Sequence, residues 1–226
     1  MMGSRQRGRS SAALEELEIP YMVVGGLSSM AYGNPRTTKD ADLVLAVDGT
    51  GLNRLAEKLG DEFHLDSQGS FEMVTGTSRY HLRVPSLRFE IELFLLSDDA
   101  HDLERFKRRR AFPSRQLGMR TMIPTAEDVI VMKLRWFSIA KRGKDGDDIR
   151  NVIAVLGEDA LDWDYIHRWT AEHGTRALLD EIRASIPHTD CPPSQAQAGA
   201  EWLLCERSAS SCAAPPRLSI TSKACR

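Results

Sequence analysis

Thr38-Lys39-Asp40-Ala41-Asp42-Leu43-Val44-Leu45-Ala46-Val47 is the stretch that decides how this chain is read. Leu43 to Val47 is rich in Val and Leu, which predicts a buried strand. Side chains alternate along a strand, so Asp40 and Asp42 share a face, roughly 7 Å apart along the backbone. Two carboxylates held together repel, and one resists ionisation unless a cation sits between them. A hard divalent ion, Mg²⁺ or Mn²⁺, resolves the conflict because it takes carboxylate and phosphate oxygens together.

Just upstream, Tyr21-Met22-Val23-Val24-Gly25-Gly26 is an apolar run ending in two glycines, followed by Leu27-Ser28-Ser29-Met30-Ala31-Tyr32. A strand that turns into a helix there puts a helix N-terminus beside the carboxylates. Its free N–H groups and dipole attract an anion, and glycine lets a phosphate approach the backbone closely. A phosphate-binding turn next to metal-binding carboxylates points to phosphoryl or nucleotidyl chemistry. The competing reading is a surface turn and a strand whose aspartates face water. Arg36, in the loop before the carboxylates, weighs against it, since its planar fork suits a phosphate.

The stretch resembles the DNA polymerase beta-like nucleotidyltransferase superfamily, whose members carry Gly-Ser or Gly-Gly, a spacer, and then Asp-x-Asp. The finer pattern, Val24-Gly25-Gly26-Leu27 and Tyr32-Gly33-Asn34-Pro35-Arg36-Thr37-Thr38-Lys39-Asp40-Ala41-Asp42-Leu43, is similar to the AbiEii/AbiGii toxin-type branch. The likeness continues through Ile91-Glu92-Leu93-Phe94, Pro124 to Leu134 and Arg142 to Ile149, and spans residues 12–186. It implies a third carboxylate on a strand beside the Asp-x-Asp strand, positioned to bind metal and accept a proton from the attacking hydroxyl. Glu92 occupies that slot, usually an aspartate, with Glu90 as the other candidate. The typical Gly-Ser serine is Leu27 here, and Ser28 is the nearest hydroxyl.

Two further positions stand out. Lys133 has Val129, Ile130, Trp136 and Phe137 at helical spacing, which places its charge on or beside a buried face. A buried lysine needs an anion, here a triphosphate, or must snorkel to water. Without a partner it is a cost, so methionine in its place is expected to leave stability equal or raised. Asp145, Asp147 and Asp148 open the next helix, where acidic residues suit the dipole. The resemblance places this block near the cleft, with Asp145 orienting Lys133 or the nucleotide. The run Lys107-Arg108-Arg109-Arg110 reads either as a solvated helix face or as a nucleic-acid grip.

At 226 residues, 42% hydrophobic and 27% charged, the chain can bury a real core. A net charge of −2 excludes a global polycation, so any nucleic-acid binding must come from a local patch. No apolar stretch is long enough to span a bilayer, so no membrane partner is expected. Residues 1–11 are basic and Ser-rich and read as a flexible terminus, not a signal peptide. Cys191, Cys205, Cys212 and Cys225 show no Cys-x-x-Cys spacing, and a reducing, cytoplasmic setting fits. The six histidines are scattered, and none is assigned to a metal.

The expected fold is α+β (mixed α/β): a small nucleotidyltransferase-type mixed sheet with flanking helices, then a C-terminal helical bundle. Residues 12–123 are the expected catalytic domain, 124–187 the helical subdomain and 188–226 a disordered tail, with one helical turn near Trp202. Predicted helices cover 12–17, 51–59, 101–110, 125–140, 146–156, 161–173 and 175–185. Predicted strands fall near 63, 71–74, 80–84, 87–96 and 119–123.

The expected activity is transfer of an NMP from an NTP to a hydroxyl acceptor: an RNA or tRNA end, a protein, or a small molecule. The metal would be held by Asp40, Asp42 and Glu92. Gly25, Gly26, Ser28, Arg36, Lys133 and Asp145 would serve the nucleotide. A toxin paired with an antitoxin is the role the resemblance implies. The alternative is a catalytically silent relative acting as a binding or antitoxin-like module.

Overall fold

The computed structural model describes residues 9–10, 12–38, 40–85, 89–114 and 119–187. Residues 12–16 form a first helix, α1. Next come β1 (Tyr21–Val24), α2 (Gly25–Tyr32), β2 (Asp40–Leu45), α3 (Gly49–Leu59), β3 (His64–Leu65), β4 (Ser70–Glu72), β5 (Thr77–Val84) and β6 (Phe89–Leu95). The second half holds α4 (Ala100–Arg108), β7 (Arg110–Ser114), β8 (Met119–Ile123), α5 (Ala126–Ala140), α6 (Gly143–Leu156), α7 (Trp163–Glu172) and α8 (Arg176–Ala184). A mixed sheet precedes a bundle of four helices, so the fold class is α+β as expected.

The sheet runs β1-β2-β6-β5-β3, with β4 also on β5. Only β2 and β6 are parallel; every other pair is antiparallel. The two parallel strands lie side by side because α3 and the β3–β5 hairpins intervene between them in sequence, long enough for the crossover that parallel pairing requires. The register places Asp40 level with Glu90 and Asp42 level with Glu92.

Alternation then sorts the two faces. Ala41, Leu43 and Leu45 of β2 and Ile91 and Leu93 of β6 point into the main core with Leu52, Leu55 and Leu59 of α3. Burying each such aliphatic side chain contributes about 1.5–3 kcal/mol. The other face carries Asp42, Val44, Glu92 and Phe94. Val44 joins a small cluster with Met22, Val24 and Phe106, which floors the polar site with apolar side chains.

The helical half begins at Thr125, whose hydroxyl caps α5 by accepting from the Asp128 N–H. Tyr32 at the end of α2 donates its hydroxyl to the Pro124 carbonyl at 2.7 Å, tying the first half to this start. Helix α5 is buried over most of its length, from Ala126 to Leu134.

One sequence expectation is corrected. The helix predicted over 101–110 ends at Arg108, and Arg110 to Ser114 pair with β8 as a separate hairpin. Pro113 has no N–H for a helix, and a two-stranded ribbon, all edge, tolerates it. The residue 191–225 cysteines, the Trp202 turn, Lys39 and Arg88 lie outside the described residues.

Candidate active site

Gly25 is the pivot of the site. Its φ is +62°, and a Cβ built on it would lie 1.8 Å from Asp42 Oδ2. Left-handed backbone and absence of a side chain are therefore both required there, and what they make room for is the Asp42 carboxylate. A Cβ on Gly26 would lie 2.9 Å from Arg36 Nη2. Helix α2 starts at this turn with no side-chain cap at Val24, and its first residues, Gly25 and Gly26, line the cleft. The Ser28 and Ser29 hydroxyls both donate to the Gly25 carbonyl at 3.0 Å. Ser28 thus braces the turn.

Asp40, Asp42 and Glu92 line one cleft together with Gly25, Gly26 and Thr38. Thr38 donates its hydroxyl to Asp40 Oδ1. Arg79 reaches Glu92 Oε2 at 3.4 Å. Burial pushes the Asp42 carboxyl up to about 7, with the Glu92 and Asp40 charges adding to the effect; Lys133 and Lys144 oppose it. Of the two glutamates, Glu92 lines the cleft. Glu90 is turned to Arg83, whose Nε donates to it at 3.0 Å, and does not line the cleft.

Lys133 is buried, as its helical spacing indicates, yet it is not unpartnered. Its Nζ lies 2.9 Å from Asp145 Oδ1 and 2.8 Å from Asp148 Oδ2. Asp145 is fully buried and also accepts from Arg142 Nε at 2.7 Å. Asp148 is gripped by both arms of Arg36, Nε at 3.0 Å and Nη2 at 3.1 Å. These contacts hold the Asp148 carboxyl below its ordinary range and the Arg36 guanidinium above its own. Lys133 therefore meets Asp145, the residue expected to orient it, and Asp148 as well; because both carboxylates are buried, the network argues against the expectation that methionine there leaves stability equal or raised. Asp148 is the partner that no spacing within α5 reveals. Arg36 likewise has its fork engaged, so it is not a free phosphate clamp in this state.

The cation that sequence reasoning missed is Lys144. It is exposed, lies in the first turn of α6, borders the same cleft and is close enough to Asp42 to lower its pKa. No ion pair or hydrogen bond engages it among the described residues. Its position between Arg142 and Asp145 at the start of the helix was the available signal.

The basic run is largely tied down internally. Arg108 lies over the Tyr165 ring at 3.8 Å and pairs with Asp128, Arg109 lies over Phe106, and Arg110 donates to the Tyr32 hydroxyl. Arg105 is buried against Asp102. These arginines brace helix contacts and do not present a phosphate-binding stripe.

Solved structures share this arrangement of sheet and helices. ANT(2'')-Ia in complex with adenylyl-2''-tobramycin superposes with a TM-score of 0.52 at 16% identity, covering 78% of this chain and 99% of that one. The chain has the nucleotidyltransferase fold. An antigenic nucleotidyltransferase-like protein from Paracoccidioides brasiliensis is 21% identical over 78% of this chain and 90% of its own, with a TM-score of 0.45. The lincosamide adenylyltransferase LnuA, bound to lincomycin, is 12% identical over 63% of this chain and 90% of its own, with a TM-score of 0.42. No protein-family model matches the chain, and no curated protein matches it. Asp40, Asp42 and Glu92 are sheet carboxylates that line the same cleft as the glycine turn. No helix among the described residues is long and apolar enough to cross a membrane.

Proposed function

We propose that this chain is a metal-dependent nucleotidyltransferase that moves an NMP from an NTP to a hydroxyl acceptor. The observation that carries this reading is the convergence of Asp40, Asp42 and Glu92 on the Gly25 turn. Burial, with the Glu92 and Asp40 charges added, pushes Asp42 up to about 7; a hard divalent cation relieves both, and three carboxylates are a donor set suited to Mg²⁺ or Mn²⁺. Such an ion, when bound, neutralises phosphate charge and orients the α-phosphoryl group.

The chain's own groups supply the rest. The N-terminus of α2 and the side chain of Lys144 take the phosphates of the NTP. Gly25, Gly26 and Ser28 keep that turn in shape. Arg36, Lys133, Asp145 and Asp148 form an ionic bracket, its lysine and aspartates buried, that fixes α6, and with it Lys144, against the cleft. The acceptor oxygen bonds to the α-phosphorus, the bond to the bridging oxygen breaks and pyrophosphate leaves. Glu92 is placed to take the acceptor's proton.

The four sequence blocks similar to the AbiEii/AbiGii branch support a cytoplasmic toxin, held in check by an antitoxin, with a tRNA end or a protein hydroxyl as acceptor. The test is incubation with each labelled NTP, Mg²⁺ or Mn²⁺, and total RNA or cell lysate. Label is expected in a discrete acceptor and not with an Asp40→Asn/Asp42→Asn variant. Nucleotide binding without any transferred label would favour the silent binding module.

A further inference from the structure

Asp99, His101 and His173 meet where the start of α4 faces the end of α7, and none of them lines the carboxylate cleft. One donor atom from each lies within 4.8 Å of the other two. His101 is fully buried, and its Nε2 lies 3.3 Å from Asp128 Oδ1. Its Nδ1 has no hydrogen-bond partner among the described residues, and the same is true of His173 Nδ1, also a buried atom. His101 Nε2 also makes no hydrogen bond among the described residues despite its nearness to Asp128, so three ring nitrogens of the pair have lost water and gained no hydrogen bond, which calls for an explanation.

Burial pulls both imidazoles below their ordinary pKa, His173 to about 4, so each carries the lone pair that ligation needs. Asp99 Oδ1 accepts from the Asp102 N–H at 2.9 Å and from Arg135 at 3.0 Å; Oδ2 accepts from Arg135 at 3.0 Å. A carboxylate offers about four lone-pair positions, so one remains on Oδ2.

We propose that Asp99, His101 and His173 form a second cation site, for a borderline transition-metal ion such as Zn²⁺, that staples the end of α7 to the start of α4. The donor set selects the ion class: two imidazoles and one carboxylate suit Zn²⁺ or Co²⁺ and not Mg²⁺. Arg135 draws charge from Asp99, which makes the imidazoles the leading ligands and keeps the affinity modest. Asp128, 3.3 Å behind His101 Nε2, is the carboxylate near enough to orient the ring once Nδ1 ligates. It is itself anchored by the Tyr165 hydroxyl and Thr125. Asp99 and His173 are only half-buried, which leaves a side for a water as fourth ligand. The competing explanation is ring packing, since Trp169 lies 4.8 Å from His101 and 5.5 Å from His173 between centroids.

The test uses the full chain, stripped with chelator and titrated with Co²⁺ in excess Mg²⁺. One Co²⁺ per chain is expected, with visible bands of a low-symmetry site that Zn²⁺ abolishes. The bands should persist in Asp40→Asn/Asp42→Asn and vanish in His173→Gln. Zn²⁺ should raise the melting temperature of the wild type and not of His173→Gln. Because a variant can misfold, imidazole ¹⁵N shifts of the wild type on Zn²⁺ addition give a second readout. Movement confined to two of the six histidines is expected. No Co²⁺ uptake, equal uptake by His173→Gln, or shifts spread over all histidines would overturn the site in favour of ring packing. The proposal stands apart from nucleotidyl transfer, because either can fail while the other holds.

Discussion

Asp42 lies level with Glu92 across the parallel pairing of β2 and β6, and level with Val24 on its other side, one residue before the Gly25 turn. This single register brings two carboxylates and a helix N-terminus to one point. It also leaves Asp42 with a carboxyl pushed up to about 7, because the site is buried and its nearest charges are negative.

The sign of the consequence is fixed. The folded-state pKa lies above the ordinary 3.8, so the native state holds the proton more tightly than the unfolded chain. Asp42 therefore weakens the metal-free fold increasingly as pH rises from the ordinary carboxylate range through about 7. Asp42→Asn should stabilise the metal-free protein by roughly 1–3 kcal/mol at pH about 8 and by much less at pH about 5. Urea unfolding at the two pH values measures this. A variant with the same pH dependence as the wild type would refute the assignment.

Lys133→Met should destabilise the fold by roughly 2–3 kcal/mol, since it strips one cation from two buried carboxylates that each keep an arginine. Urea-unfolding free energy decides it. Unchanged or raised stability would mean that Asp145 and Asp148 are satisfied without the lysine.

Lys144→Ala should weaken NTP binding about three- to tenfold, the effect of losing one exposed charge-assisted contact. Its melting temperature should match the wild type, because no partner is lost. Calorimetric NTP titration separates this from Lys133→Met, which should fail in stability first.

Gly25→Ala should cost at least about 1–2 kcal/mol from the positive φ alone, and the Cβ must in addition displace the Asp42 carboxylate. Thermal unfolding together with Mg²⁺ titration tests this. A variant that keeps wild-type stability and Mg²⁺ affinity would show that the turn relaxes freely.

Several features were legible in the sequence because they are local. The alternation of Asp40, Asp42 and Val44 against Ala41, Leu43 and Leu45 follows from strand geometry over six residues. The glycine pair announced a turn, and helical spacing put Lys133 on a buried face of α5. The Lys107 to Arg110 run misled because a chain of cations reads the same as a helix end or a strand start. Only pairing of Arg110 to Ser114 with β8 resolves it.

The sequence by itself determined the two faces of each strand, the glycine turn and the burial of α5, since each depends on near neighbours and a fixed period. Tertiary structure alone decided which glutamate joins Asp42, that Asp148 meets both Lys133 and Arg36, and that His101 comes to lie against His173. Those contacts join segments distant along the chain. Their selection depends on strand register and helix packing, where a shift of one residue would turn Glu92 into the core and Ile91 or Leu93 to the cleft.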